Sequence, residues 1–400
     1  MKQVFYGRVD AELSSIKLEG IGKAERLILS AQGPTVRLDN ANEQHHVLNL
    51  CSNNYLGLAS DPRVIGAACQ ATELWGAGLA SVRFICGTQA IHKELEAITA
   101  EYLGFEDSIL FAAAFDANAA VFEPLLGPDD AIISDTLNHA SLIDGIRLSK
   151  ARRFRFASGD MDDLEGVLKL ARQEGAKSII IATDGVFSMD GTIANLKEIV
   201  DLADRYGALT LVDDCHATGF LGAGGTGSAA FRDVVGRIDI VTGTYGKALG
   251  GAMGGFVAAR HSVVELLRQR ARPYLFSNSL APALCGAAIA AIEIARSNAG
   301  DALRSQLFAN AVQFRSGLDR LGFDLIPGEH PIIPVMLGDA KVAQAMAEEL
   351  LLNGIYVTGF SFPVVPQGQA RIRVQLSAAH TDTDVDRAVA AFIEAVAAVT

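Results

Sequence analysis

Residues 237–255 hold the lysine whose surroundings best suit chemistry. An apolar, strand-like run from Ile238 to Val241 leads into a turn of small residues that carries Lys247. Glycines at 243, 246, 250, 251, 254 and 255 would let a large, flat group approach the backbone. A lysine in a tight, poorly solvated turn suits Schiff-base chemistry with a carbonyl, and the hydroxyl of Thr244 could bind a phosphate. The alternative is a solvated loop lysine between two buried strands.

A second group of polar residues follows the predicted strand 208–212. Asp213, Asp214 and His216 come directly after this strand, at the edge where open α/β sheets bind ligands. One carboxylate could keep a ring nitrogen protonated, and the imidazole of His216 could reach a ring hydroxyl. A helix N-cap with a neighbouring surface histidine would have the same sequence, so both interpretations stay open.

Three further segments place polar groups at strand ends or helix starts. Ser188 lies just after the predicted strand 177–183. His139 follows the predicted strand 131–134 and could lay its imidazole against a flat ring, or simply cap a helix. Ala114 and Phe115 lie where a helix begins, and the free N–H groups of a helix start make an anion site.

Two segments nearer the C-terminus suit the binding of anions. Residues 273–279 form a polar cluster ahead of a helix, which fits either phosphate binding or capping. Arg371 and Arg373 share one face of the predicted strand 371–376, because alternate residues of a strand point the same way. The two guanidinium groups could clamp a carboxylate or form surface salt bridges.

The order of predicted elements indicates an α/β fold. A strand at 47–51 is followed, up to residue 258, by strands that alternate with helices of about 10–15 residues, which is typical of a mostly parallel sheet covered on both faces. Beyond a soft boundary near residue 283, the pattern changes to a smaller α+β unit. We predict an N-terminal segment over 1–50, helical over 1–30, a large α/β domain over 51–283 and a small C-terminal domain over 284–400.

The composition excludes several classes of protein. Half of the 400 residues are hydrophobic, 20% are charged and 39 are glycine, which fits an α/β enzyme and not a disordered or fibrous chain. The net charge of −12, without a dense Lys/Arg stripe, argues against nucleic-acid partners. No signal-peptide core or long apolar stretch is present, so we expect a cytoplasmic protein with no membrane partner. Five scattered cysteines indicate free thiols and no zinc framework.

One glycine motif is misleading. Residues 222–227 fit the dinucleotide-binding pattern G-x-G-x-x-G, which would suggest a Rossmann oxidoreductase. That pattern must follow a strand directly and open a helix, whereas here a polar segment separates it from the strand ending near Val212. We therefore predict a mobile loop.

Together these segments resemble the α-oxoamine synthases, a family of pyridoxal-phosphate (PLP) enzymes with the aspartate-aminotransferase-like fold. The resemblance extends from about residue 3 to residue 398. It is most specific in four segments, at 80–89, 182–191, 272–279 and 356–360.

The resemblance implies a role for each polar residue near the PLP ring. Lys247 would form the Schiff base with the cofactor, and Asp213 would pair with the pyridinium nitrogen. His139 would stack on the ring, while His216 and Ser188 would bind its polar edge.

It also implies how the phosphate is bound and that the protein is a homodimer. The backbone N–H groups of Ala114 and Phe115, with the Thr244 hydroxyl, would hold the phosphate. Ser277 and Asn278 would reach the phosphate in the other subunit, so that both chains share each active site.

The implied reaction is acyl transfer between an amino acid and coenzyme A. Glycine and acetyl-CoA would be interconverted with 2-amino-3-oxobutyrate and CoA, a step in the degradation of threonine to glycine. Arg371 and Asn53, with His139, would bind the substrate. The alternative is a sister enzyme that condenses a longer acyl-CoA with glycine, alanine or serine, such as 8-amino-7-oxononanoate synthase or serine palmitoyltransferase. A non-catalytic PLP-fold binding protein is disfavoured, because every catalytic position is occupied.

The sequence departs from the family pattern in three places. Cys215 stands where serine is usual, Tyr245 where an aliphatic or phenyl side chain is usual, and Ala112–Ala114 replace a more polar run. None removes a catalytic group, so they bear on substrate preference and not on the use of PLP.

Overall fold

The computed structural model describes residues 2–18, 22–23, 25–40 and 43–399. The helices in these ranges are α1 (Lys2–Leu18), α2 (Pro62–Trp75), α3 (Ala90–Leu103), α4 (Ala114–Leu125), α5 (Ala140–Leu148), α6 (Met161–Gln173), α7 (Leu196–Tyr206), α8 (Ser228–Phe231), α9 (His261–Arg270), α10 (Arg272–Phe276), α11 (Pro282–Ala295), α12 (Asn298–Arg320), α13 (Ala340–Leu352) and α14 (Asp382–Val399). The strands are β1 (Thr35–Asn40), β2 (Glu43–Asn49), β3 (Asp107–Phe111), β4 (Ala131–Asp135), β5 (Arg152–Phe156), β6 (Ile179–Asp184), β7 (Leu209–Asp213), β8 (Ile240–Thr244), β9 (Gly255–Ala259), β10 (Ile332–Gly338), β11 (Ile355–Tyr356), β12 (Gly359–Phe360) and β13 (Ala370–Gln375).

The chain divides into two compact units. The first unit contains Met1–Ser52, Ala309–Leu376 and His380–Thr400, and the second contains Asn53–Phe308 and Ser377–Ala379. This division differs from the predicted limits at 50 and 283, because α11 and the start of α12 pack with the second unit. The division into an N-terminal segment, a large domain and a small C-terminal domain stays a prediction.

The second unit is built on a seven-stranded sheet. Its strand order is β3-β9-β8-β7-β6-β4-β5, and only β9 runs antiparallel to its neighbours. Every residue of β4, β6, β8 and β9 is buried, which is expected for strands covered on both faces. The predicted α/β fold with a mostly parallel sheet is confirmed.

One apolar core packs α4, α5 and α9 against this sheet. Ile132, Ile180 and Leu211 from three strands meet Phe122 of α4 and Leu142 of α5 in this core. Burying one such side chain contributes about 1.5–3 kcal/mol. Because α4 and α5 are held against the sheet, the residues at their first turns have defined positions at its carboxyl edge.

The first unit has an α+β composition. It contains two three-stranded sheets, with strand orders β1-β2-β11 and β10-β13-β12. Val36, Leu38 and Val47 form a small apolar cluster on the first of these sheets. Among the described residues, no helix is both long enough and apolar enough to cross a membrane.

Three sequence-based expectations about elements were wrong in detail. The N-terminal helix ends at Leu18 instead of residue 30, and Ile28 pairs with Leu38 as an isolated bridge; residues 19–21 and 24 lie outside the described residues. The predicted strand 47–51 begins earlier and ends at Asn49. Helix α9 was missed, because its buried apolar residues, Val264 and Leu267, form only a short stripe and its last turn is basic.

Candidate active site

A cavity of about 80 Å³ lies at the carboxyl edge of the seven-stranded sheet. Its position follows from strand register, because Asp184 pairs with Asp213 at the ends of β6 and β7, and Thr244 ends the adjacent β8. The residues that line the cavity are Ala114, Phe115, Asn118, His139, Ser141, Asp184, Val186, Ser188, Asp213, Cys215, His216, Thr244 and Lys247. The fold thus brings eight predicted site residues together, with Cys215 beside them: Ala114, Phe115, His139, Ser188, Asp213, His216, Thr244 and Lys247.

Lys247 lies in the turn after β8 and is half-buried. The hydroxyl of Thr244 shapes this turn, since it accepts a 2.9 Å hydrogen bond from the Gly246 N–H and donates a 3.2 Å bond to the Gly254 carbonyl. Among the described residues, the Lys247 amine has neither a hydrogen bond nor an ion pair. The amine is therefore available to a group in the cavity.

Asp213 ends β7 and is buried. Its Oδ1 accepts a 2.9 Å hydrogen bond from the Cys215 N–H, and its Oδ2 accepts a 2.6 Å bond from Nδ2 of Asn118. Two donors fix the carboxylate, so it faces the cavity in one orientation. Asn118 was not among the predicted site residues, because an asparagine inside a helix carries no local sign of its partner.

His139 precedes α5 and caps it. Its Nδ1 accepts a hydrogen bond from the Ser141 N–H at 3.3 Å, and its own backbone N–H donates to Oδ2 of Asp184 at 3.2 Å. The imidazole keeps an exposed face in the cavity, but the protein packed around it lowers its pKa; the ammonium of Lys247 acts in the same direction and Asp213 opposes it. Burial, and then the nearby Asp213, raise the pKa of Asp184.

His216 is buried and also lines the cavity. Its Nδ1 is 2.8 Å from the hydroxyl of Tyr55. Tyr55 is itself buried and stacks on Phe220 with a ring-centroid distance of 4.4 Å. This tyrosine was missed by sequence analysis, although it lies in a turn rich in hydrogen-bonding side chains.

The start of α4 forms another wall of the cavity. Ala114 and Phe115 are its first two residues, and their N–H groups precede the first intrahelical hydrogen bond. The helix can start here because β9 begins with Gly255, where a Cβ atom would lie 2.5 Å from the Cα of Ala114. Free N–H groups and the positive end of the helix dipole favour an anion at this wall.

Four predicted residues do not line the cavity of this chain. Ser277 is half-buried and Asn278 is exposed, and Asn278 pairs with Val82 as an isolated bridge. Oδ1 of Asn53 is buried and has no hydrogen bond within the described part of the chain. Arg371 belongs to the first unit, where its Nε donates a 3.0 Å hydrogen bond to the Gln369 carbonyl. Their roles stay predictions.

Two of the residues that depart from the family pattern, Tyr245 and Cys215, differ in whether they line the cavity. Tyr245 points away from the cavity, where its hydroxyl lies 2.6 Å from Oγ1 of Thr99 and its ring lies against Phe256. Cys215 lines the cavity, and burial raises the pKa of its thiol. Of Tyr245 and Cys215, only Cys215 lines the cavity, where Ala114 also lies.

The glycine-rich loop at 222–227 does not have the setting of a dinucleotide site. It leads only to the four-residue helix α8. The expectation of a mobile loop is not supported either, because the Tyr102 hydroxyl donates to the Gly225 carbonyl at 2.8 Å, and the Gly227 N–H donates to the Leu221 carbonyl at 2.8 Å. Ser228, the residue after the loop, donates a 2.9 Å hydrogen bond from its N–H to the Asp214 carboxylate.

The fold and this set of side chains agree with comparisons to known proteins. The chain belongs to the class I and II aminotransferase family, whose model matches residues 45–392. It is 58% identical over 392 residues to 2-amino-3-ketobutyrate coenzyme A ligase from Escherichia coli (strain K12), which covers 98% of this chain and 97% of that protein. The mitochondrial 2-amino-3-ketobutyrate coenzyme A ligase of Homo sapiens is 52% identical over 388 residues, covering 97% of this chain and 91% of that protein.

A solved structure shows the same architecture. Serine palmitoyltransferase from S. paucimobilis with a bound PLP–myriocin aldimine matches with a TM-score of 0.91 at 31% identity, covering 99% of this chain and 98% of that chain. The predicted resemblance to the α-oxoamine synthases and the predicted aminotransferase-like fold are therefore confirmed.

Proposed function

We propose that this chain is a PLP-dependent acyltransferase that interconverts glycine and acetyl-CoA with 2-amino-3-oxobutyrate and CoA. The proposal rests on the sequence identity of 58% and 52% to two 2-amino-3-ketobutyrate coenzyme A ligases, over at least 97% of this chain. The cavity also contains every residue that was expected at the cofactor ring.

The donor set of the cavity fits PLP. The start of α4 and the Thr244 hydroxyl provide an anion site for the phosphate. Asp213 provides a fixed carboxylate for the ring nitrogen, His139 an imidazole for the ring face, and Lys247 an amine for the aldehyde. When bound, PLP supplies an aldehyde that condenses with amines and a conjugated ring that takes up the electron pair left at the substrate α-carbon.

Each protein group then has a defined task. Lys247 would supply the amine that holds the cofactor and, once its amine is free, would take the proton from the α-carbon of glycine. Asp213 would stabilise a positive charge on the ring nitrogen, which a fixed, buried carboxylate does well. The glycine α-carbon bonds to the thioester carbonyl carbon, the C–S bond breaks, and CoA leaves as the thiolate. Arg371 and Asn53 would hold the substrate carboxylate.

The proposed assembly is a homodimer in which Ser277 and Asn278 serve the neighbouring chain. Their position outside the cavity of their own chain, and the exposure of Asn278, are compatible with this role. A cytoplasmic location is part of the same proposal.

A substrate panel tests the function. Turnover of acetyl-CoA, pimeloyl-CoA and palmitoyl-CoA is measured with glycine, alanine and serine, and products are identified by mass spectrometry. We expect the highest kcat/KM for acetyl-CoA with glycine, and cleavage of 2-amino-3-oxobutyrate by CoA in the reverse direction. Preference for pimeloyl-CoA with alanine, or palmitoyl-CoA with serine, would assign the chain to a sister activity instead.

A further inference from the structure

A chain of hydrogen bonds runs from β8 through α4 to the imidazole of His139. The Thr242 hydroxyl donates to Oδ1 of Asn118 at 2.6 Å. Nδ2 of Asn118 donates to Oδ2 of Asp213 at 2.6 Å and to Oγ of Ser141 at 2.9 Å. Oγ of Ser141 lies 2.7 Å from Nδ1 of His139. Thr242, Asn118 and Ser141 are buried, so water does not compete for these bonds.

The amide orientation of Asn118 is determined by its neighbours. An amide has two N–H donors on its nitrogen, and here they meet the Asp213 carboxylate and the Ser141 hydroxyl. The reversed orientation would put the amide oxygen 2.6 Å from a carboxylate oxygen, which is repulsive. It would also leave the Thr242 hydroxyl opposite the amide nitrogen. The observed orientation satisfies all three contacts.

The direction of the last bond follows from this orientation. Because Asn118 donates to Oγ of Ser141, the hydroxyl proton of Ser141 is free to point at Nδ1 of His139. The backbone N–H of Ser141 also donates to the same nitrogen at 3.3 Å. A proton on Nδ1 would oppose this N–H and leave the hydroxyl proton without an acceptor among the described residues.

We propose that Asn118 and Ser141 are positioning residues that hold neutral His139 with its proton on Nε2, so that the imidazole presents an N–H donor to the cavity. Nε2 has no hydrogen-bond partner among the described residues, and the ring has an exposed face in the cavity. An oxygen acceptor on a bound molecule, such as a carboxylate or a ketone, matches this donor.

If the proposed function is correct, this tautomer gives His139 and Lys247 different roles. In a neutral imidazole only the nitrogen without a proton can accept one, so Nε2–H cannot serve as the base that faces the cavity. Lys247 also lines the cavity, and its amine has no hydrogen bond within the described part of the chain, so it can act as the base. His139 therefore binds an oxygen of the substrate, and Lys247 moves the proton.

The tautomer can be measured directly. The full-length protein is labelled with ¹⁵N-histidine and studied by long-range ¹H–¹⁵N NMR at about pH 8, above the ordinary histidine pKa, with and without PLP. The His139 signal is assigned by its loss in His139→Gln. We expect Nδ1 of His139 to show the shift of an unprotonated nitrogen and Nε2 that of a protonated one. A protonated Nδ1 in the wild-type protein would overturn the proposal.

Two variants test the positioning residues. Ser141→Ala removes the hydroxyl donor, and Asn118→Leu frees Ser141 to accept from Nδ1 instead of donating to it. Each substitution should lower the ratio of the Nε2-protonated to the Nδ1-protonated tautomer about tenfold, which is the effect of losing one hydrogen bond. Ser141→Thr keeps a hydroxyl and should restore the wild-type ratio. An unchanged ratio in both Ser141→Ala and Asn118→Leu would also overturn the proposal.

A serine at the other end of α5 provides the matched control. Ser149→Ala removes a buried hydroxyl that accepts from the Ala151 N–H, and should leave the His139 spectrum and activity unchanged. The NMR result does not depend on turnover. If the protein shows the expected tautomer but fails the substrate panel, this inference stands and the proposed function is rejected. If it passes the substrate panel but carries the proton on Nδ1, the proposed function stands and this inference is rejected.

Discussion

Nδ2 of Asn118 donates a 2.6 Å hydrogen bond to Oδ2 of Asp213, although 95 positions separate the two residues in the chain. The Cys215 N–H donates to the other carboxylate oxygen at 2.9 Å. Both oxygens are therefore held by donors, and the carboxylate can approach a ring nitrogen in only one orientation. Precise placement of a charge in a water-poor site is a large contributor to catalysis.

Asp213→Asn should retain PLP but lose most activity, by roughly 10²–10³-fold in kcat. A neutral amide cannot keep the ring nitrogen protonated, so the electron pair of the α-carbon loses its acceptor. The measurement is kcat together with cofactor content and the thermal unfolding midpoint. Asp129→Asn, an exposed residue paired with Lys177, is the matched control. Near-normal turnover in a PLP-loaded Asp213→Asn enzyme would refute the role.

Lys247→Ala should lose the visible absorbance of the lysine-bound cofactor and reduce turnover by roughly 10²–10⁴-fold, the range for removing a general base. The structural reason is that Lys247 is the lysine among the residues lining the cavity. Lys197→Ala on the exposed side of α7 is the control and should behave as the wild-type protein. Normal activity in the Lys247→Ala variant would contradict the assignment.

The shared-site prediction concerns mixtures of two variants. Lys247→Ala and the double variant Ser277→Ala/Asn278→Ala each impair both sites of a homodimer. If the 277–278 segment serves the neighbouring chain, a hybrid dimer has one site with both lesions and one intact site. Complete subunit exchange at equal amounts should then restore about a quarter of wild-type activity. Demonstrated exchange without recovery would mean that the segment acts in its own chain.

Asp214 should make stability depend on pH. Burial raises its pKa from 3.8 to about 7, while its hydrogen bonds with Ser228 oppose the shift. The folded state therefore binds more protons than the unfolded state between these values. The stability from protonated Asp214 is fully present below pH 3.8 and is lost as pH rises through about 7.

Urea unfolding at acidic and at alkaline pH checks this dependence. In Asp214→Asn the amide can accept from the Ser228 N–H and donate to its hydroxyl, so the contacts survive without a titrating group. Relative to this variant, the wild-type protein should lose about 1–3 kcal/mol of unfolding free energy between about pH 5 and pH 8. Asp233→Asn, at an exposed position with a left-handed backbone that asparagine tolerates, is the control. A constant difference between wild type and Asp214→Asn would exclude Asp214 as the source.

Much of the fold and part of the site were determined by the sequence itself. Short apolar runs separated by amphipathic segments predicted the parallel sheet, because strands buried on both faces must be apolar along their whole length. Polar residues that follow those runs, such as Asp213 and His139, predicted the edge that binds ligands. The turn around Lys247 was also visible, because its small residues are local in the chain.

The tertiary structure alone decided which distant residues meet. Thr242 reaches Asn118 across 124 positions, and Tyr55 reaches His216 across 161. These contacts depend on strand order and on how α4 packs on the sheet, neither of which leaves a local pattern. A buried asparagine in a helix looks like any other polar residue until the fold places a carboxylate and a hydroxyl against its amide, because hydrogen bonding depends on distance in space and not on distance along the chain.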